Sequence, residues 1–96
     1  MDMESLMSQA QDLQTKIAAA QDALGQMQVR GIGGNGSVVV TMSGKYDLLS
    51  VVIQPGALDA GAESLSKSVF DAYTDAKQKA DDLIEKTMNQ VTGSLS

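Results

Sequence analysis

The sequence predicts an α+β fold in the order α-β-β-β-α, in which two long helices flank a small antiparallel sheet. Apolar residues recur at spacings of three and four near both ends of the 96-residue chain, a pattern typical of amphipathic helices. The middle of the chain instead holds short runs rich in β-branched residues, which favour strands. At this length we expect one domain over residues 1–96, with a limited core of its own.

The first helix is predicted over residues 3–27. Its polar positions, such as Asp12 and Lys16, fall between the apolar ones, as expected for a solvated outer face. With one lysine, the helix lacks the basic face of a membrane-surface helix. Its heptad-like apolar seam consists of Met3, Leu6, Ala10, Leu13, Ile17, Ala20, Leu24 and Met27.

The glycine-rich segment Gly31–Gly36 satisfies the pattern G-x-G-x-x-G of dinucleotide-binding proteins. That fingerprint binds pyrophosphate only where a strand precedes it and a helix opens at its end. Here a strand follows the glycines, so we interpret the segment as a flexible turn between the first two strands.

Three strands are predicted, at residues 27–32, 37–43 and 46–54. In the second, Val38, Val40 and Met42 alternate with Ser37, Val39, Thr41 and Ser43, which indicates a half-buried strand although Val39 interrupts the strict alternation. The third is almost continuously apolar, as in a strand covered on both faces. Gly44 supplies the turn between them, and Pro55 ends the sheet because proline cannot donate to a ladder.

A three-stranded sheet with two open edges, one of them strongly apolar, is a surface that proteins normally cover. We therefore expect a second copy of the chain to cover the edge or the apolar face, giving a sheet-mediated homodimer. The predicted interface residues are Val38, Val40, Leu49, Val51 and Ile53.

The second helix is predicted over residues 60–92 and would be about 45 Å long. Both helices exceed the sheet in length, so we expect them to pack as an antiparallel coiled pair that projects beyond it. The second seam consists of Leu65, Val69, Ala72, Ala76, Ala80, Leu83 and Thr87 or Met88.

Composition argues against catalysis, since the chain has no His and no Cys and no serine lies in a G-x-S-x-G turn. Carboxylates do cluster on the second helix, but lysines alternate with them, which favours a solvated charged face over a metal site. We expect neither an enzyme nor a cofactor. No secretory signal or membrane-spanning run is present, so a soluble cytoplasmic protein is expected.

Charge argues against nucleic acid as a partner. The net charge is −5, both helices are acidic, and only the sheet segment is slightly basic. The best basic group is Lys77, Lys79 and Lys86, which Lys16 of the first helix joins if the helices pair. Ordinary surface lysines explain the same pattern, so this site is a hypothesis.

Residues along nearly the whole chain have an order and spacing typical of a known family. They are Leu6, Met7, Gln9, Ala10, Gln11, Gln14, Val29, Gly36, Val38, Val40, Thr41, Gly44, Val51, Ile53, Pro55, Leu65, Val69, Ala72, Asp75 and Ala76. Together they resemble the YbaB/EbfC family of nucleoid-associated proteins. The matching residues are mainly structural and transfer no set of DNA contacts.

The resemblance implies a homodimer with a shared sheet and paired helices projecting like tweezers. It also implies low-specificity binding to double-stranded DNA in the nucleoid, with effects on nucleoid organisation and gene expression. The candidate DNA contacts are then Lys16, Lys77, Lys79 and Lys86. The acidic helices keep an alternative open, a dimeric scaffold of the same fold that recruits a protein partner. A secreted W-x-G helical hairpin fits less well, because the chain has no Trp and such hairpins have no strands.

Overall fold

The computed structural model describes residues 2–93 and has the predicted α+β class and α-β-β-β-α order. The three strands form one antiparallel sheet in the order β1-β2-β3, so β2 is central and the other two strands are its edges. The elements are α1 (Met3–Gln26), β1 (Gln28–Gly33), β2 (Val38–Ser43), β3 (Leu48–Ile53), α2 (Pro55–Asp59) and α3 (Ala62–Gly93).

The short helix α2 is the element that the sequence analysis missed. Pro55 occupies its first turn, where the missing N–H costs no hydrogen bond. Gly61, at φ +97°, separates α2 from α3, so the long helix begins two residues later than predicted. The third strand also begins two residues late, because Tyr46 lies at φ +69°, outside the β region.

The helix α1 is held at both ends by hydrogen bonds. At its start, the carboxylate of Asp2 accepts a hydrogen bond from the backbone N–H of Glu4 at 3.2 Å. At its end, the N–H of Gly44 donates to the carbonyl oxygens of Leu24 (2.9 Å) and Met27 (3.1 Å). The turn between β2 and β3 therefore fixes where α1 ends.

The core lies between one face of the sheet and a stripe of alanines on α3. Because α3 presents only methyl groups here, its backbone approaches the sheet closely. The buried residues of this layer are Val38, Val40 and Met42 on β2 and Ala72, Ala76 and Ala80 on α3.

Gly31 and Gly33 both belong to strand β1 beneath α3. The predicted first strand, 27–32, includes Gly31 but not Gly33, and the flexible turn predicted over Gly31–Gly36 is wrong for both glycines. A β-carbon at Gly31 would overlap the carbonyl oxygen of Ala72, and one at Gly33 would overlap that of Ser68. The turn itself is confined to Gly34–Gly36, where three successive residues have positive φ. The glycine pattern thus serves helix packing and a tight turn.

The two long helices run antiparallel, since α1 ends beside the sheet and α3 runs away from it along α1. Their shared groove is lined by Lys16, Ala20 and Ala23 of α1 and by Thr87, Gln90 and Val91 of α3. Within α1 only Ala20 and Leu24 are buried. The first half of the helix, with Met3, Leu6 and Met7, is exposed, so this arm extends the molecule to a length of 68 Å.

The strand β3 is uncovered in the single chain, although its sequence is typical of a strand buried on both faces. All six residues of Leu48–Ile53 are exposed. The reason is that α3 lies over β1 and β2, leaving β3 outside its cover.

Candidate functional surfaces

The four lysines predicted to bind DNA do not converge on one surface. Residues on an α-helix are about 100° apart, so Lys77 and Lys79 point about 200° from each other. Lys79 contacts β1, whereas Asp81, one turn after Lys77, accepts a hydrogen bond from Tyr46 beyond the end of β2. Lys79 and Lys86 therefore lie on the β1 side of α3, and Lys77 lies on its β3 side.

Lys79 is already engaged within the chain. Its Nζ donates to the backbone carbonyl of Arg30 at 2.8 Å and pairs with the carboxylate of Asp75 at 3.0 Å. A lysine held in this way has fewer donors available for phosphate than a solvated one. Of the predicted cations on α3, Lys77 and Lys86 are the exposed ones that make no such contact with the sheet.

Lys16 lines the groove between α1 and the last turns of α3. It is the first cation of the chain, and Asp2, Glu4 and Asp12 precede it on the exposed arm. The arm is therefore a locally negative segment, which repels phosphate at its tip and favours cationic partners.

Asp75 has a second partner besides Lys79. Its carboxylate accepts a hydrogen bond from the backbone N–H of Ile32 at 2.9 Å. That hydrogen bond, followed by the interaction with Lys79, holds the pKa of Asp75 below its usual range, because both favour the ionised form. Asp75 is thus charged at neutral pH and fixed at the outer side of β1.

A group of exposed apolar side chains lies on the β3 side of the molecule. In register, Val51 pairs with Val40 and Ile53 pairs with Val38. The two β2 residues of these pairs are 1% and 0% exposed, whereas Val51 and Ile53 are 41% and 38% exposed. On this face of the sheet, α3 therefore covers β2 but not β3, and the boundary of the covered area lies between the two strands.

The predicted dimer interface is divided by this boundary. Val38 and Val40 lie beneath α3 within their own chain, where a partner could reach them only past β3. Leu49, Val51 and Ile53 are exposed and available.

Two aromatic residues that the sequence analysis did not place at this surface extend it. Phe70 and Tyr73 precede Lys77 and Asp81 by one to three turns, so all four form one stripe along the β3 side of α3. Phe70 is 68% exposed and Tyr73 is 43% exposed. The sequence feature that could have predicted this exposure is their position outside the seam of alanines, since α3 buries small residues and these two large ones face elsewhere.

Within residues 2–93, no three His, Cys, Asp or Glu side chains lie close enough together to hold a metal ion. None of the helices in this described part of the chain has both the length and the apolar character needed to cross a membrane.

Comparison with known proteins adds a family to this fold. Residues 1–95 match the sequence profile described as the YbaB/EbfC DNA-binding family. The match spans both long helices and the sheet between them.

Several relatives are similar over more than four fifths of their length. A nucleoid-associated protein of Gloeothece citriformis is 39% identical over 95 residues, covering 99% of this chain and 83% of the relative. Another, from Bradyrhizobium diazoefficiens, is 40% identical, covering 98% of this chain and 90% of the relative. A third, from Saccharopolyspora erythraea, is 38% identical, with 97% and 81% covered.

A solved structure has the same fold. The crystal structure of an uncharacterized protein from Helicobacter pylori superimposes with a TM-score of 0.80, covering 100% of this chain and 99% of the other. The two sequences are 18% identical, so the likeness concerns the fold alone.

Proposed function

Because the chain belongs to the YbaB/EbfC DNA-binding family, we propose that it is a nucleoid-associated protein that binds duplex DNA as a homodimer. In this proposal it acts in the cytoplasm, at the nucleoid, with low sequence specificity, and influences nucleoid organisation and gene expression. The observation that carries the proposal is the family match over residues 1–95, together with relatives named as nucleoid-associated proteins.

The homodimer is supported by the uncovered β3 side. An apolar strand with an unpaired edge invites pairing with another chain, and a second copy carries the same surface. Phe70 and Tyr73, on the same side of the molecule as Val51 and Ile53, give this side the aromatic and aliphatic character typical of an interface centre. We assign the twofold contact to this side of the molecule, with Leu49 at its margin.

The proposed DNA contacts are phosphate contacts rather than contacts to bases. Of the four predicted lysines, Lys16, Lys77 and Lys86 make no hydrogen bond to the sheet, and they lie on helices with acidic residues between them. Scattered lysines neutralise phosphates without reading sequence, which explains a low specificity. A twofold dimer carries each of these lysines twice, six in all.

The test is a titration of a fluorescently labelled duplex, followed by anisotropy, at low and at moderate salt. We expect binding at low salt that weakens steeply as salt rises, because each neutralised phosphate contributes a slope of about −0.9 in log K against log salt. The double variant K77Q/K86Q should bind more weakly and with a shallower slope. Lys79 is left unchanged because it contacts the sheet.

The matched control is K45Q/K67Q, which changes the net charge equally at two lysines outside the candidate set. It should retain most of the salt slope. Both variants should have the same oligomeric mass in solution as the unaltered protein, so that a change in binding does not reflect a change in assembly. Equal weakening by both pairs would show only a general charge effect and would remove Lys77 and Lys86 from the site. Absence of binding by the unaltered protein even at low salt would overturn the DNA proposal.

A second candidate function is a dimeric scaffold of the same fold that recruits a protein. The observation that favours it is the exposed first half of α1, where Met3, Leu6 and Met7 accompany Asp2 and Glu4. An apolar seam flanked by acids fits an amphipathic helix with basic flanks. In the anisotropy test this function predicts no DNA binding. A labelled basic amphipathic peptide should instead bind to the protein, and the L6Q/M7Q variant should no longer bind that peptide.

A further inference from the structure

The outer edge of β1 is occupied by side chains from α3. β1 pairs with β2 on one side only, so its other side would expose unpaired backbone groups. Instead, the N–H of Ile32 donates to Asp75 at 2.9 Å, and the carbonyl of Arg30 accepts from Lys79 at 2.8 Å. One acceptor and one donor, a turn apart on α3, thus satisfy a donor and an acceptor on the strand.

From this geometry we infer that Asp75 and Lys79 block strand pairing at β1, so that another chain can extend the sheet only at β3. The two side chains also pair with each other at 3.0 Å, which holds both against the strand. An incoming strand would have to displace a charge-assisted hydrogen bond at each of two backbone groups. The blocked edge therefore restricts the assemblies that the chain can form.

A neighbouring pair on the same helix shows that this contact is more than an ordinary surface ion pair. Lys67 and Asp71 have the same four-residue spacing, one turn or more before Asp75, and are 3.4 Å apart. Neither of them bonds to the backbone of a strand. The four-residue spacing is sufficient to form an ion pair. The hydrogen bonds to the strand form only because Asp75 and Lys79 lie next to β1.

The opposite edge has no such cover. No side chain within residues 2–93 makes a hydrogen bond to the backbone of Leu48–Ile53. If both edges could pair, copies could add at each side and form an open-ended ribbon. With β1 blocked, one pairing at β3 uses the last free edge, and the assembly closes.

The blockade at β1 stands on its own geometry, and only the closure at β3 rests on the homodimer proposed above. The test compares D75A/K79A with K67A/D71A, which removes the same two residue types from the same helix. Alanine is the best helix former, so α3 should persist in both. Light scattering after size-exclusion chromatography gives the mass over a range of protein concentrations.

We expect D75A/K79A to form species larger than the unaltered protein, growing with concentration, while K67A/D71A keeps the unaltered mass. In D75A alone, hydrogen exchange at the Ile32 amide should accelerate about fivefold, as for the loss of one hydrogen bond of about 1 kcal/mol. D75N keeps a side-chain oxygen acceptor and should leave the mass unchanged.

The outcomes separate the two proposals. A folded D75A/K79A variant with the unaltered mass at every concentration would overturn the blockade. If the unaltered protein is monomeric and D75A/K79A forms larger species, the result would support the blockade and overturn the homodimer. If D75A/K79A does not fold, the D75A exchange rate and mass decide, and an unaccelerated Ile32 amide would count against the inference.

Discussion

The two outer strands of the sheet have the same length and opposite environments. β1 contains Gly31 and Gly33, which are buried, whereas β3 contains Leu, Val and Ile residues, which are exposed. By hydrophobicity alone, β3 would be the buried strand and β1 the exposed one, since large apolar side chains stabilise more by burial than glycine does. The difference shows that α3 packs on the strand that its backbone can approach most closely, and not on the most apolar strand.

The close approach follows from two sets of small residues that face each other. The glycines of β1 leave room for the backbone of α3, and Ala72 and Ala76 add only methyl groups between the two elements. A helix drawn over β1 in this way cannot also cover β3. The apolar strand is left for another molecule, and Asp75 and Lys79 are brought to the β1 edge.

The largest expected effect comes from adding a single carbon at this contact. In G31A the new β-carbon would overlap the carbonyl oxygen of Ala72, a backbone atom that cannot rotate away. We expect a loss of about 3 kcal/mol or more in the free energy of unfolding, at the upper end of overpacking effects. Urea denaturation at a fixed protein concentration measures it.

The control is G56A, at a glycine of α2 where an added β-carbon meets nothing within 4 Å. Alanine in a helix should leave stability unchanged or raise it by up to about 1 kcal/mol. A G31A protein as stable as G56A would show that α3 does not press on β1, and the comparison between the two strands would fail.

The order of elements could be predicted because each long element has its own periodic signal. The seams of α1 and α3 and the alternation in β2 are local, so α-β-β-β-α followed from the chain alone. The buried glycines of β1 could not be recognised, because the atoms that exclude a β-carbon belong to α3, some forty residues later. A glycine that makes a turn and one that admits a helix look the same in sequence.

The next effect tests β3 by making its exposed face more polar. V51T/I53T keeps β-branched side chains but removes apolar surface that would be buried on dimerisation. Each site occurs twice in a twofold interface, so about 1 kcal/mol per site gives about 4 kcal/mol, or roughly a thousandfold weaker dimer. Analytical ultracentrifugation over a dilution series measures the dissociation constant.

The matched control is L6Q/M7Q, which replaces two exposed apolar residues on the distant arm of α1. This variant should keep the dissociation constant of the unaltered protein. Equal dissociation of both variants would mean that general surface hydrophobicity, rather than β3, holds the copies together.

The candidate sites were less predictable than the fold, for a physical reason. Charge and spacing predict the four candidate lysines, but they do not show that Lys79 donates a hydrogen bond to the carbonyl of Arg30, 49 residues away in sequence. Likewise, Val38 and Val40 read as interface residues because the sequence shows only that their face is apolar. Which apolar face a chain covers with its own helix depends on tertiary contacts.

The smallest expected effect concerns the contact that fixes the β3 side of α3. The hydroxyl of Tyr46, at positive φ in the turn before β3, donates a hydrogen bond to Asp81. That hydrogen bond, then desolvation and the charge of Asp81, raise the pKa of Tyr46 above its model-compound value of 10.0, because only the neutral phenol can donate. We expect Y46F to be slightly less stable than the unaltered protein at neutral pH.

The pH dependence of that difference identifies its source. Since folding raises the pKa of Tyr46, its contribution is complete below the unfolded-state value of about 10 and is lost as pH rises through the folded-state value. The stability difference between Y46F and the unaltered protein should therefore be constant from pH 7 to about 9 and shrink above about 10. In Y73F, where Tyr46 is the only tyrosine, tyrosinate absorbance should develop at higher pH in the folded than in the urea-unfolded chain. Identical titrations of the two states would show that Tyr46 does not donate to Asp81 in the folded chain, and that this hydrogen bond does not join the turn before β3 to α3.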